Sequence, residues 1–203
     1  MQIASHIQGL IFDCDGTLAN TIPSHLKAYQ EVLKGYGLKV PNTFLLQYNG
    51  YADVEIMAKV KEAYGAPFDP VEAAHQKEAL FLNYLDQVEP IEVIMAIVRQ
   101  YHGRLPIAVA TGGVRDRTLR VLKAIGATDL FDALVSVEDV SRGKPEPDLF
   151  LEAAKRLELP PENCLVFEDA DSGLEAAKRA GMEVMDIRTL VGDSLLKRYL
   201  EEA

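Results

Sequence analysis

The sequence is constrained most by short, continuously apolar segments that each end in a polar residue. They cover residues 7–12, 106–110, 133–137, 164–167 and, more weakly, 184–187. A strand that is apolar on both faces belongs in a sheet that is covered on both sides, which is typical of parallel sheets. The sequence therefore predicts a parallel sheet that is buried between helices.

Helical patterns alternate with the later apolar segments. Leu119, Leu122 and Ile125 recur at helical spacing and are followed by Gly126, a common helix end. Similar stripes cover residues 150–157 and 174–180. This alternation of strand and helix predicts an α/β fold with a Rossmann-like parallel sheet sandwiched by helices.

The interval between the first and second predicted strands contains helical patterns only. A crossover between parallel strands needs a single helix, and several helices here indicate an inserted helical cap subdomain. We expect a core of residues 1–20 and 87–203 and a cap of residues 21–86. An insertion at the carboxyl end of a central strand lies above the ligand-binding edge of such sheets, so we expect a lid. The alternative is that the extra helices only enlarge the core.

The composition limits which class of protein this chain can belong to and which partners it can bind. The chain has 203 residues, and 48% of them are hydrophobic, which is typical of a globular protein. Its net charge of −10 disfavours binding to nucleic acid or to an anionic membrane. No apolar stretch reaches the about 18 residues that span a bilayer, and no secretory signal is evident. The two cysteines, Cys14 and Cys164, form no disulfide framework. We expect a cytoplasmic monomer.

Two carboxylates, Asp13 and Asp15, directly follow the first apolar segment. Taken alone, the Asp-x-Asp-Gly pattern equally suits an ordinary turn after a strand, because Asp and Gly both favour turns. A calcium-binding loop is disfavoured, because Gly16 comes too early and a strand precedes the pattern. The pattern gains meaning from the ends of the other predicted strands.

Three other polar groups occur at comparable points of the chain. Thr111 and Gly112 follow the second predicted strand, Lys144 precedes a predicted helix, and Glu168 and Asp169 follow the fourth strand. Each alone suits a turn, a solvated charge or a helix cap. Together, an acid, a hydroxyl, a lysine and an acidic pair arrive in chain order at one edge of the predicted sheet. A hydroxyl beside glycine amides can bind phosphate, so the combination predicts one functional site.

With these four motifs the sequence resembles the haloacid dehalogenase superfamily over essentially its whole length, cap included. Residues 166–173, Val-Phe-Glu-Asp-Ala-Asp-Ser-Gly, are similar to the β-phosphoglucomutase and sugar-phosphate phosphatase branch. The resemblance implies phosphoryl transfer from a small phosphorylated metabolite in the presence of Mg²⁺.

The resemblance also implies a role for each motif. Asp13 would be the nucleophile that forms an aspartyl-phosphate, and Asp15 would be the general acid and then the base. Thr111 and Lys144 would bind phosphoryl oxygens, with Gly112 beside them, and the lysine would offset repulsion of the anionic substrate. The implied Mg²⁺ ligands are Asp13, Asp15 through its backbone carbonyl, Asp169 and, as a further contact, Glu168.

In the cap, the resemblance implies that His25 couples substrate binding to the position of the general acid. A surface or structural helix histidine is the alternative. The loop that begins with Asn49 and Gly50 would face the sugar. Lys77 could also reach the substrate, although an exposed helical lysine is the simpler interpretation.

The choice of reaction depends on an absent residue. β-Phosphoglucomutase-like sequences carry an arginine in the cap loop that holds a second phosphate, whereas residues 1–98 contain no arginine and Asp53 falls near that position. We therefore expect a phosphatase for a small sugar phosphate of the fructose-1-phosphate or 6-phosphogluconate type. The alternatives are a β-phosphoglucomutase and a non-catalytic phosphometabolite-binding protein. The latter would predict the loss of Asp13, Asp15 or Lys144, which are all present.

Overall fold

The computed structural model describes residues 2–191. Five strands form one sheet: β1 (Gly9–Phe12), β2 (Ile107–Ala110), β3 (Ala133–Val135), β4 (Cys164–Glu168) and β5 (Glu183–Asp186). Their order is β3-β2-β1-β4-β5, and every pair is parallel. Every residue of β1, β2 and β4 is buried. The predicted parallel sheet is confirmed. The predicted core segment continues into residues 192–203, which lie outside the described residues.

Helices cover both faces of the sheet: α5 (Glu92–Tyr101), α6 (Arg115–Ala124), α7 (Asp148–Arg156), α8 (Asp171–Arg179) and the short α9 (Arg188–Val191). The alternation of side chains along β1 divides the core into two layers. Leu10 and Phe12 pack with residues of α5 and α6, whereas Ile11 packs with α7 and α8. The Rossmann-like sandwich that the sequence predicts is therefore present.

Two details of the core differ from the prediction. Leu119 is 44% exposed, because the buried face of α6 carries Thr118, Val121 and Leu122 and leaves Leu119 at its edge. The third strand ends at residue 135, before the predicted residue 137. It ends there because the Asp139 carboxylate accepts hydrogen bonds from both the backbone N–H and the hydroxyl of Ser136, which closes a 3₁₀ turn.

Four helices are inserted between β1 and α5: α1 (Ile22–Gly35), α2 (Asn42–Leu46), α3 (Asp53–Tyr64) and α4 (Pro70–Phe81), with a 3₁₀ turn at Leu82–Gln87. α1, α3 and α4 pack around an apolar cluster of their own, in which Leu33, Met57 and Val60 are fully buried. The early helical insertion is confirmed. Helix α2 was not predicted, because five residues contain too little periodicity. The boundaries 21–86 stay a prediction.

The insertion leaves and re-enters the core at neighbouring points above the carboxyl end of β1. The Ile91 N–H donates to the Leu18 carbonyl (2.9 Å), and the Asn20 N–H donates to the Glu89 carbonyl (2.8 Å). The two connections therefore run side by side, next to the sheet edge at which β1, β2 and β4 all end. None of the helices within residues 2–191 is long and apolar enough to cross a membrane.

Candidate active site

The carboxyl edge of the sheet brings together the motif residues from four separate parts of the chain. Asp13, Thr111, Lys144, Glu168 and Asp169 are all buried there. The Lys144 ammonium donates to Asp13 Oδ1 (2.5 Å) and to Glu168 Oε2 (2.6 Å). Interpreting Lys144 as an ordinary solvated lysine is therefore wrong, since its charge lies between two buried carboxylates.

Three of these carboxylates form a compact oxygen cluster. One oxygen from each of Asp13, Glu168 and Asp169 lies within 4.8 Å of the others. Burial raises the pKa of Asp13, and the charge of Glu168 raises it further; the same two causes raise the pKa of Asp169 to about 7. The single charge of Lys144 does not offset three carboxylates, and an all-oxygen donor set suits a hard divalent cation. The residues present therefore fit a metal site.

The loop after β1 holds Asp169 in place. Thr17 Oγ1 donates to Asp169 Oδ1 (2.9 Å), and the cap residue Asn49 donates from Nδ2 to Asp169 Oδ2 (2.9 Å). Gly16 has a φ of +92°, and a Cβ there would lie 2.4 Å from Asp169 Oδ2. A side chain at Gly16 would therefore collide with the acidic cluster, which explains the glycine of the motif.

Glu168 is fixed by the start of α8. Its Oε1 accepts hydrogen bonds from the backbone N–H groups of Asp169 (3.2 Å) and Ala170 (3.0 Å). A Cβ at Gly173 would lie 2.1 Å from the Glu168 carboxylate. The glycine therefore allows the first turn of the helix to approach the buried acid closely.

The loop after β2 lies directly beneath the cap. Thr111 Oγ1 accepts a hydrogen bond from the Gly113 N–H (3.0 Å), and its own hydroxyl hydrogen stays available to a phosphoryl oxygen. A Cβ at Gly112 would lie only 2.6 Å from the backbone oxygen of Gly50 in the cap. Ser172 of α8 donates to the Asn49 carbonyl (2.7 Å). The cap loop thus closes over the site.

Asp15 points toward the cap and is surrounded by donors. Thr21 Oγ1 donates to Asp15 Oδ1 (2.7 Å), His25 Nε2 lies 3.1 Å from the same oxygen, and an Arg117 nitrogen lies 3.6 Å from Oδ2. Burial raises the pKa of Asp15, but the charge of Arg117 and the hydrogen bonds from His25 and Thr21 outweigh it and lower the pKa. Asp15 is therefore held as a carboxylate in this arrangement.

His25 connects Asp15 to Lys77. The Lys77 Nζ lies 2.6 Å from His25 Nδ1, and because an ammonium only donates, Nδ1 accepts and Nε2 carries the hydrogen that faces Asp15. Burial and the charge of Lys77 lower the pKa of His25 to about 4, so the ring is neutral. Lys77 is 0% exposed, which makes the interpretation of an exposed helical lysine wrong; His25 is not a surface residue either.

Sequence reasoning missed Arg117. This α6 residue is 4% exposed, and its NH1 donates to Asp53 Oδ2 (2.7 Å) and Glu78 Oε2 (2.8 Å) of the cap. Arg117 lies four residues before the buried Val121 and therefore on the same helix face. That spacing was the only signal, because arginine normally lies on the solvent face.

A cavity of about 50 Å³ remains between the cap and the sheet edge. The functional side chains that line it are Asp13, Asp15, His25, Asn49, Asp53, Thr111 and Arg117. Lys77 contacts His25 and Asp53 of this group but does not itself line the cavity.

Comparison with known proteins agrees with this geometry. The family of haloacid dehalogenase-like hydrolases matches residues 10–187. A fructose-1-phosphate phosphatase of Escherichia coli (strain K12) is 42% identical over 183 residues, which are 90% of this chain and 97% of that protein. A phosphorylated carbohydrates phosphatase of Thermotoga maritima is 30% identical over 182 residues, covering 87% and 83%. The solved structure of a β-phosphoglucomutase from Clostridium difficile superposes with a TM-score of 0.79 at 22% identity, covering 97% and 98%, and shows the fold.

Proposed function

The chain belongs to the haloacid dehalogenase-like hydrolases, as a phosphatase of their β-phosphoglucomutase-like branch, and we propose that it hydrolyses a small sugar phosphate through a covalent intermediate on Asp13. One observation carries the proposal. The Asp13 carboxylate lies buried at the sheet edge, in contact with the Lys144 ammonium and beside the acidic pair of β4. A nucleophile, a phosphate-binding cation and a metal site thus share one small volume.

In the first step, a carboxylate oxygen of Asp13 attacks the phosphorus atom, and the bond from phosphorus to the sugar oxygen breaks. Asp15 is ionised before substrate binds, so it takes up a proton as the anionic substrate arrives and gives that proton to the leaving oxygen. Lys144 reduces the repulsion between Asp13 and the anionic phosphoryl group, because its ammonium is fixed on the carboxylate. Thr111 donates its hydroxyl hydrogen to a phosphoryl oxygen.

In the second step, water attacks the phosphorus atom and the bond to Asp13 breaks, which releases inorganic phosphate. The Asp15 carboxylate accepts the proton of the water. Its contacts with Thr21, His25 and Arg117 favour the ionised form that this step requires. His25 and Thr21 also fix the carboxylate toward the cavity, so that the same group serves both steps.

The acidic cluster supplies the place for a divalent cation, for which Mg²⁺ is the best candidate. Asp13, Glu168 and Asp169 would hold the ion, with the backbone carbonyl of Asp15 as a further ligand. When bound, the ion contributes positive charge opposite the phosphoryl oxygens.

Fructose 1-phosphate is the first substrate to test, because a phosphatase of that substrate is 42% identical to this chain over nearly its whole length. A mutase must hold a second phosphate. Near the cap position where β-phosphoglucomutase-like sequences carry an arginine, this chain has Asp53, whose carboxylate is bound by Lys77 and Arg117. The phosphatase is therefore favoured over β-phosphoglucomutase.

The test measures phosphate release from fructose 1-phosphate, 6-phosphogluconate and β-glucose 1-phosphate with Mg²⁺, for the wild type and for Asp13→Asn. We expect release by the wild type and a loss of at least about 10³-fold in the variant, with an unchanged melting temperature. Full activity of Asp13→Asn would contradict the covalent mechanism. Formation of glucose 6-phosphate faster than phosphate release would identify a mutase, and no turnover of any substrate would favour the binding role.

A further inference from the structure

Away from Asp13 and Lys144, four buried or half-buried charged residues form a cluster that joins cap and core. We call Asp53, Lys77, Glu78 and Arg117 the distal cluster. Asp53 Oδ1 accepts from Lys77 Nζ (2.8 Å), and Arg117 NH1 donates to both Asp53 Oδ2 (2.7 Å) and Glu78 Oε2 (2.8 Å). Arg117 comes from α6 of the core, whereas the other three belong to the cap.

The distal cluster has no net charge. Two carboxylates face two cations, and the charges of Lys77 and Arg117 lower the pKa of Asp53 against the opposing effect of burial, so the carboxylate is ionised. Arg117 is the only lysine or arginine that lines the cavity within residues 2–191. Its positive charge is already paired, because both carboxylates of the cluster contact the same guanidinium nitrogen.

We propose that the distal cluster restricts the enzyme to phosphate monoesters whose remaining part is uncharged, with Asp53 and Glu78 as the residues that determine this specificity. The proposal rests on the phosphatase function proposed above. It assigns the part of the cavity beside Arg117 to the hydroxyl groups of a neutral sugar. It excludes a carboxylate or a second phosphate from the same place.

The reason is electrostatic. An anionic group beside Arg117 would also lie close to Asp53 and Asp15, whose carboxylates share that guanidinium. Like charges at such distances repel strongly away from bulk water. The anion would gain no free cation in exchange.

A neutral hydroxyl meets a different environment. Arg117 Nε is the one buried side-chain nitrogen or oxygen in the described chain that has no hydrogen-bond partner. A buried donor without a partner is unfavourable, and a sugar hydroxyl oxygen that enters when the cap opens can accept its hydrogen. The same hydroxyl can donate to a carboxylate, so a sugar satisfies both sides of the cluster.

The experiment compares kcat/KM for three substrates that differ in the charge of the part that is not transferred: fructose 1-phosphate, 6-phosphogluconate and fructose 1,6-bisphosphate. We expect the wild type to prefer the first by at least tenfold over both others. In Asp53→Asn and in Glu78→Gln, Arg117 loses a carboxylate partner, and the preference should fall by at least threefold. Glu62→Gln is the matched control, because Glu62 is exposed on α3 and should leave the ratio unchanged.

Two results would overturn the proposal: equal or better hydrolysis of the two anionic substrates by the wild type, or an unchanged ratio in both variants. Melting temperatures establish that each variant is folded, and Glu78→Gln provides the test if Asp53→Asn is not. If phosphate is released but the rate does not depend on the charge of the substrate, only the proposed specificity is overturned. No release from any of the three substrates or from p-nitrophenyl phosphate overturns the phosphatase proposal together with it.

Discussion

Lys144 is the residue on which the charge balance of the acidic cluster of Asp13, Glu168 and Asp169 depends. Its ammonium is fully buried between Asp13 and Glu168, and these two charges raise its pKa although burial alone would lower it. A buried cation of this kind is always protonated at neutral pH. Removing it leaves three carboxylates that no other cation within residues 2–191 contacts, which is far less favourable than removing an exposed ion pair.

Lys144→Met should therefore abolish phosphate release and lower the free energy of unfolding by about 3–5 kcal/mol. Denaturant titrations in EDTA measure the loss, and adding Mg²⁺ should restore part of it because the ion binds the unpaired carboxylates. Lys155→Met is the control, since that lysine is exposed and, within residues 2–191, forms an ion pair with Glu152 at the surface. Equal stability of the two variants would contradict the assigned role of Lys144.

Because of His25, we expect the free energy of unfolding to depend on pH. Its pKa is about 4 in the folded chain and 6.5 when unperturbed, so between these values the unfolded chain binds more protons than the folded one. The stability that the neutral ring contributes is complete above pH 6.5 and is lost as the pH falls toward 4.

The free energy of unfolding of the wild type should accordingly fall relative to that of His25→Gln by about 3 kcal/mol over this window, at about 1.4 kcal/mol per pKa unit. Denaturant unfolding at a series of pH values measures the difference. His75→Gln, at an exposed position of α4, should track the wild type. Parallel curves for wild type and His25→Gln would rule out a buried neutral histidine.

At the scale of the elements, apolar periodicity predicted the sheet, the core helices and the helical insertion. It did not predict which polar residues those helices bury. On α4 the buried positions are Ala73, Ala74, Lys77 and Phe81, so Lys77 lies at the spacing of an apolar face and could have been identified there. Arg117 on α6 shows the same pattern with Val121.

The partners of these buried cations could not be found in the sequence. Asp53 and Glu78 lie on different helices and meet Arg117 only after the cap is folded onto the core. The motif residues of the sheet edge were predictable as a group for the opposite reason. The carboxyl ends of parallel strands meet at one edge whatever the loops do.

The contact between the β2 loop and the cap loop supplies a prediction at this scale. A Cβ at Gly112 would lie 2.6 Å from the Gly50 backbone oxygen, and backbone cannot move aside as a flexible side chain can. Gly112→Ala should hinder closure of the cap and lower kcat/KM by about tenfold, the effect of roughly 1.4 kcal/mol, while the melting temperature changes little.

Gly35→Ala is the matched control for this change. Gly35 ends helix α1, and a Cβ there would meet nothing within 4 Å. Alanine should leave kcat/KM unchanged at this position. Wild-type kinetics for Gly112→Ala would mean that the two loops do not need to touch during turnover.

For the whole molecule, the distribution of charge separates the site from the rest of the core. The chain carries a net charge of −10, yet buried charged side chains are confined to the boundary between cap and core. Within residues 2–191 the buried Lys, Arg, Asp and Glu residues are Asp13, Lys77, Arg117, Lys144, Glu168 and Asp169. Packing of apolar side chains stabilises the remaining core, whereas each charged side chain at this boundary depends on a buried partner, so substitutions there should change stability as well as function.

The closed cap leaves too little room for a substrate. The cavity of about 50 Å³ is well below the roughly 300 Å³ of ordinary ligand pockets, so the cap must open for substrate to enter and product to leave. The paired connections at residues 18–20 and 89–91 are the place about which it can move. Across the site, the Ser172 hydroxyl and the Asn49 carbonyl hold the two parts together.

Ser172→Ala should shift the cap toward the open state by roughly fivefold, because a hydrogen bond contributes about 1 kcal/mol. The chain contains no tryptophan, so Tyr51→Trp places a single tryptophan in the cap loop that lines the cavity. In that background, Ser172→Ala should move the tryptophan emission to longer wavelength as water reaches the indole, whereas Ser141→Ala, at an exposed position, should not. Addition of Mg²⁺ and inorganic phosphate should reverse the shift by favouring closure. An emission maximum that none of these changes moves would show that the cap loop stays on the core, and substrate would then need another route to Asp13.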